Sequence, residues 1–260
     1  MPFELNIYLA FILLPVGILM LVKGADVLVD GAVAISDRLG ISPLIVGLTV
    51  VAMGTSAPEV AASVAASLEG DSNLAIGNVF GSNIANLALV AGVSAIIRPV
   101  VVNLTILKRE FPALLITSFV LLALMFNLEI GRFESVVLLC LFAGIIYLSV
   151  KLGFRDAKER PKELEKLQEE VLEKEARIPK SLFKASLFIV IGLVALAVGA
   201  KVTLESAKFI GSAVGMSNAV IGLTIVAIGT SLPELITCVV AAVKGHDEIS
   251  IGNIVGSNVF

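Results

Sequence analysis

The chain has 260 residues, 57% hydrophobic and only 16% charged, with a formal net charge of −3 and a mean hydropathy of +1.01. A soluble domain of this length has no use for so much apolar surface, so the composition predicts several membrane spans. Two cysteines and one histidine are too few for a disulfide framework or a transition-metal centre.

At the N-terminus, residues 1–6 carry Glu4 rather than a basic segment, and the apolar run continues to Val22 without a small-residue cleavage site. This reads as a first span, not a cleavable signal. Apolar runs place spans at roughly 5–33, 41–68, 73–97, 111–127 and 133–151, then 182–211, 217–243 and an eighth from about 248. Cys140 and Cys238 fall inside such runs and read as small hydrophobes, and His246 stands alone in a short loop. The predicted organisation is a first five-helix half at 1–152, with its repeated segment at 41–97. A charged connector follows at 153–181, then a second half at 182–260, with its repeat from 217, cut within the eighth span.

The connector and its flanks, 151–184, hold ten basic and eight acidic residues. Leu164, Leu167, Val171 and Leu172 form a thin apolar stripe, and Glu170 and Lys174 stand one turn apart, as in a solvated helix. Loops after odd-numbered spans carry 15 Lys and Arg residues, whereas the N-terminus and the loops after even-numbered spans carry only Arg132. The bias predicts an outside N-terminus and a cytoplasmic 153–181 loop; the expected location is the cell membrane.

One stretch is duplicated. G-L-T-V-V-A-M-G-T-S-A-P-E at 47–59 returns as G-L-T-I-V-A-I-G-T-S-L-P-E at 222–234, and G-N-V-F-G-S-N at 77–83 returns as G-N-I-V-G-S-N at 252–258. The offset is 175 without a gap, and 19 of 37 positions are identical, mostly polar and small ones. A merely hydrophobic duplication would keep its leucines and drift elsewhere, so this is a duplicated site. Its copies lie on the second and seventh spans, an odd number of crossings apart, so they run in opposite directions: an inverted repeat, typical of secondary transporters. The offset also carries the end of the fifth span to about 326, where a complete second half would end.

In the first copy Ala52, Thr55, Ser56 and Glu59 share a helix face. A mid-membrane carboxylate costs at least ~3 kcal/mol unless it meets a partner, a cavity or an ion. Pro58 has no N–H, so the Gly54 carbonyl loses its helical donor and the turn opens. Carboxylate, hydroxyls and freed carbonyls together are hard oxygen donors, suited to Na⁺ and Ca²⁺. On the third span Asn78, Ser82 and Asn86 form a polar stripe, answered by Asn253, Ser257 and the position after Phe260, where Asn or Asp is expected. Gly77/Gly81 and Gly252/Gly256 have a spacing that permits close backbone approach.

G-T-S-x-P-E followed by G-N-x-x-G-S-N, twice and antiparallel, resembles the two alpha-repeats of the sodium/calcium exchanger family, of prokaryotic type, within the calcium/cation antiporter superfamily. Cation/proton exchangers carry a different segment around the glutamate and fit less well. The resemblance implies an all-α polytopic fold of two inverted five-helix repeats, ten helices in all, with the second repeat incomplete in this chain. It implies a midplane site enclosed by spans 2, 3, 7 and 8, and a gate formed by spans 1 and 6. Carried over position by position, Glu59 and Glu234 are the central acidic ligands. Thr55, Ser56, Ser82 and Asn86 join them from the first repeat and Thr230, Ser231 and Ser257 from the second. Ala52 and Ala227 contribute carbonyls. The expected function is antiport of Ca²⁺ against Na⁺ across the lipid bilayer by alternating access, with no enzymatic activity, cofactor or nucleic-acid partner. Alternatives are a K⁺-dependent or H⁺-coupled exchanger, a cation channel built from the same oxygen ligands, or an intramembrane carboxyl enzyme.

Overall fold

The structure, a computed structural model, describes residues 6–99, 102, 104, 106–158, 179 and 181–260. All regular secondary structure among them is helical. The stripe expected at Leu164, Leu167, Val171 and Leu172 lies outside the described residues.

The first helix, α1 (Ile7–Leu39), is capped by Asn6, whose side chain accepts from the Leu9 N–H at 2.8 Å. It runs six residues past the expected end at 33, because falling hydropathy does not break a helix. Gly40 does: at φ 62° its N–H turns back to the carbonyls of Asp37 and Ser36. The second span is two helices, α2 (Pro43–Thr55) and α3 (Ala57–Leu68), bent by 44° at Ser56. The third is α4 (Ser72–Ile97), followed by α5 (Phe111–Leu124) and α6 (Arg132–Lys158). Across the connector, α7 is Leu182–Ala213. The seventh span is again broken, into α8 (218–230) and α9 (Leu232–Val243), bent by 55° at Ser231. The last helix, α10, is Asp247–Val259.

Both breaks have the cause read from sequence, a proline in the first turn of the following helix. Sequence patterns missed a second irregularity. Gly47–Val51 and Gly222–Val226 are π turns, again 175 residues apart. In each a threonine hydroxyl caps a carbonyl one turn back, Thr49 to Ile45 and Thr224 to Val220, both at 2.6 Å. Turns of this kind occur frequently at functional sites.

Among the described residues four helices are long and apolar enough to cross a membrane, and the two bent pairs bring the number to six. Phe11, Leu19, Phe183 and Val190 lie uncovered on their flanks, where only lipid can solvate them. The chain is an integral membrane protein.

Helices α1 and α7 pack antiparallel through glycines. A Cβ at Gly24 would lie 3.0 Å from the Gly192 carbonyl, and one at Gly17 would lie 3.0 Å from the Gly199 carbonyl. Gly17 and Gly24 have Gly192 and Gly199 as their offset partners, so one contact is the image of the other. Helix α2 lies parallel to α10, and a Cβ on Gly252 would fall 2.6 Å from the Leu44 carbonyl. Leu21, Leu28, Ile45, Val51, Leu196 and Ile249 join these four helices in one buried cluster. That cluster is the wall behind the site. The two G-x-x-x-G pairs behave differently: Gly252 and Gly256 touch α2, whereas nothing lies within 4 Å of a Cβ placed on Gly77 or Gly81.

Candidate cation site

The two helix breaks bring the carboxylates to the centre of the molecule. Glu59 stands in the first turn of α3 and Glu234 in the first turn of α9, each three residues after the serine where the helix bends. Only 7% of Glu59 and 1% of Glu234 is exposed. Ser56 donates from its hydroxyl to Glu234 Oε1 at 2.9 Å. Because Ser56 lies one turn before Glu59, this bond draws the second repeat's carboxylate up to the first repeat's break.

Neither glutamate meets a Lys or Arg among the described residues. Both oxygens of Glu59 and Oε2 of Glu234 are buried without a hydrogen-bond partner. Two buried carboxylates with no basic neighbour have a strong electrostatic demand for a cation. The neutral donors around them also have free lone pairs: the side-chain oxygens of Asn86, Ser231 and Ser257 are buried and unpartnered.

Ser56, Glu59, Ser82, Asn86 and Ser257 line one cavity of about 410 Å³. Ser82 faces it while donating to the Val79 carbonyl at 3.0 Å. Thr55 is buried behind this wall and donates to Asn253 Oδ1 at 3.0 Å, with the Ala52 carbonyl at 3.3 Å as second acceptor. The Ala52 carbonyl also receives the Ser56 N–H at 3.0 Å. Thr230, half-buried, closes α8 at the second break, and Ala227 opens the last turn of that helix. Of the expected residues, Ser56, Glu59, Ser82, Asn86 and Ser257 share this cavity, while Ala52, Thr55, Ala227, Thr230, Ser231 and Glu234 lie on the two broken spans within about a turn of the breaks. The apolar far wall comes from α5 and α6, through Leu121, Leu138 and Phe142.

Two asparagines matter more than the sequence stripe suggested. Asn78 donates to the Ser63 hydroxyl at 2.8 Å and to the Glu59 carbonyl at 3.0 Å. Its image Asn253 donates to the Cys238 sulfur at 3.2 Å and accepts from Thr55. Each amide ties the broken span to its neighbour one turn beyond the glutamate. Registering the two copies residue by residue pairs Ser63 with Cys238 and was the signal for this bond. No group of three or more His, Cys, Asp or Glu forms a metal cluster among the described residues; the donor set is two carboxylates with hydroxyls and amides, which suits hard cations.

The family described as Sodium/calcium exchanger protein matches residues 9–151 and 184–260. The inner membrane protein YrbG of Escherichia coli (strain K12) is 37% identical over 252 residues, covering 97% of this chain and 76% of that protein. The sodium/calcium exchanger MaX1 of Methanosarcina acetivorans is 33% identical over 276 residues, covering 96% and 79%. The solved structure of the sodium-calcium exchanger NCX_Mj soaked with 2.5 mM Na⁺ and 0.1 mM Ca²⁺ superposes with a TM-score of 0.80 at 33% identity, covering 96% of this chain and 78% of that one. Sequence, fold and a duplicated pair of buried, cation-seeking carboxylates agree: the chain belongs to the sodium/calcium exchanger family, a family of membrane transporters and not of enzymes.

Proposed function

We propose that the protein exchanges Ca²⁺ against Na⁺ by alternating access, with Glu59 and Glu234 as the shared charge of one central site. The observation that carries this is the pair of buried glutamates without basic partners, placed at two symmetry-related helix breaks and surrounded by unpartnered oxygens. Two negative charges balance one Ca²⁺ or a set of Na⁺ ions, not both loads together. Such mutual exclusion couples the two fluxes, because only a neutralised site can pass through the low-dielectric interior.

Thr55, Ser56, Ser82, Asn86, Thr230, Ser231 and Ser257, with the carbonyls of Ala52 and Ala227, complete the coordination. The basic-residue bias orients the protein in the cell membrane with its N-terminus outside and the 153–181 loop in the cytoplasm. The first half, 1–152, and the part of the second at 182–260 act as the two inverted units.

Radiolabelled Ca²⁺ uptake by vesicles loaded in turn with Na⁺, K⁺ or a proton gradient tests the reading. Uptake driven by outward Na⁺ alone is the expected result. Uptake that requires K⁺ or follows the proton gradient would replace Na⁺ as coupling ion, and unitary current steps would replace the exchanger by a channel.

A further inference from the structure

The 175-residue register separates contacts that occur twice from contacts that occur once. Gly17 with Gly199 has its image in Gly192 with Gly24, and Asn78 with Ser63 has its image in Asn253 with Cys238. Two interfaces have no image. Helix α1 packs along α9, but α7 has no comparable packing with α3. Helix α2 is pressed on α10 through Gly47, Gly252 and Gly256, whereas their images Gly222, Gly77 and Gly81 have open space where a Cβ would point. One mouth of the molecule is shut and its symmetry mate is open.

An ion pair fastens the shut mouth. Lys244, the C-cap of α9, reaches Asp26 Oδ1 and Asp30 Oδ1 of α1, each at 2.5 Å, and the Asp26 carbonyl at 3.1 Å. The register maps Lys244 onto Glu69, the C-cap of α3, and Asp26 onto Lys201 of α7. The signs are exchanged, and the pairing of acid with base survives. At the open mouth Glu69 and Lys201 are both uncovered and form no ion pair among the described residues, while Glu205, the image of Asp30, is bound to Lys208 at 3.1 Å.

We propose that Glu69 and Lys201 are the second of two alternating latches. Lys244 with Asp26 and Asp30 closes one mouth in the state seen here; when the protein turns over, that pair parts and Lys201 closes on Glu69 at the other. The images of the packed glycines, Gly222, Gly77 and Gly81, supply a surface on which α8 and α4 can meet as closely as α2 and α10 do now. The proposal rests on the alternating-access reading above and adds the groups that hold each end state.

The test is crosslinking in native membranes, in a Cys140→Ser, Cys238→Ser background. The pair Glu69→Cys with Lys201→Cys is treated with a short thiol-to-thiol reagent, and Asp26→Cys with Lys244→Cys serves as the control. Both pairs are expected to crosslink. Weakening the first latch, by Asp30→Asn or separately by Lys244→Ala, should raise the Glu69/Lys201 yield about fivefold or more, the lower range of conformational coupling. A control pair that crosslinks beside a Glu69/Lys201 pair that never does, or whose yield ignores both variants, overturns the latch. A double exchange, Glu69→Lys with Lys201→Glu, should restore turnover lost in Lys201→Glu alone. The crosslink is read without transport, so expected crosslinking in membranes that show no Na⁺-driven Ca²⁺ uptake would support the latch and count against the coupling ions.

Discussion

The hydroxyl of Ser56 donates to Glu234 at 2.9 Å, while the symmetry-related pair, Ser231 and Glu59, is apart, with the serine hydroxyl and both carboxylate oxygens unpartnered. One glutamate is thus held by the opposite repeat, and the other faces the cavity with its lone pairs free. The site is built from equivalent parts in unequal states.

The carboxylates supply the charge. Glu59→Gln or Glu234→Gln keeps the shape of the side chain and removes half of the negative charge facing a divalent ion away from water. That loss far exceeds the ~1 kcal/mol of a surface pair. Either variant is expected to insert normally, judged by yield and gel-filtration profile, and to lose Ca²⁺ uptake by about a hundredfold or more. Uptake at the unmodified rate in either would remove the shared site.

The neutral donors contribute less. Ser56→Ala deletes a hydrogen bond to a carboxylate, worth about 1.5–3 kcal/mol when buried. Its half-saturating Ca²⁺ concentration should rise at least tenfold, as read by tracer uptake against concentration. Thr55→Ala removes only a neutral donor held by Asn253 and should cost several-fold. A larger loss in Thr55→Ala than in either glutamine variant would invert the assignment of roles.

The glycine seam carries α1 past α7. A methyl group on Gly24 would meet the Gly192 carbonyl at 3.0 Å and the Ala195 Cβ at 2.9 Å, both on rigid helix. Overpacking of this kind costs about 1–3 kcal/mol. Gly24→Ala is expected to lower the melting temperature in detergent, whereas Gly144→Ala, with open space around its Cβ position, should leave it unchanged. Equal melting of the two would show that the seam is loose.

Orientation is tested by labelling. Asp71, at the turn between α3 and α4, and Glu165, in the charged connector, lie on opposite sides of the membrane in the proposed topology. A cysteine at Asp71 should react with a membrane-impermeant reagent from outside intact cells, and one at Glu165 only after the cells are opened. The reverse pattern would turn the protein over without touching the inverted repeat.

Sequence by itself determined the membrane class, the duplication and its opposed directions, and it singled out the residues proposed to carry the chemistry. These depend on local quantities: the length of apolar runs, the placement of Lys and Arg, and the cost of a carboxylate in hydrocarbon, which leaves Glu59 and Glu234 few reasons to exist except a cation. Pro58 and Pro233 even located the helix breaks, because a missing N–H acts on its own turn. Only the tertiary structure decided which half is closed. Ser56 and Ser231 stand in the same G-T-S-x-P-E, and Gly252 and Gly77 in the same G-N-x-x-G-S-N, yet one of each pair is engaged and the other is not. The repeated motifs read alike in both copies; the asymmetry arises from packing between the halves, which engages one copy and leaves the other open.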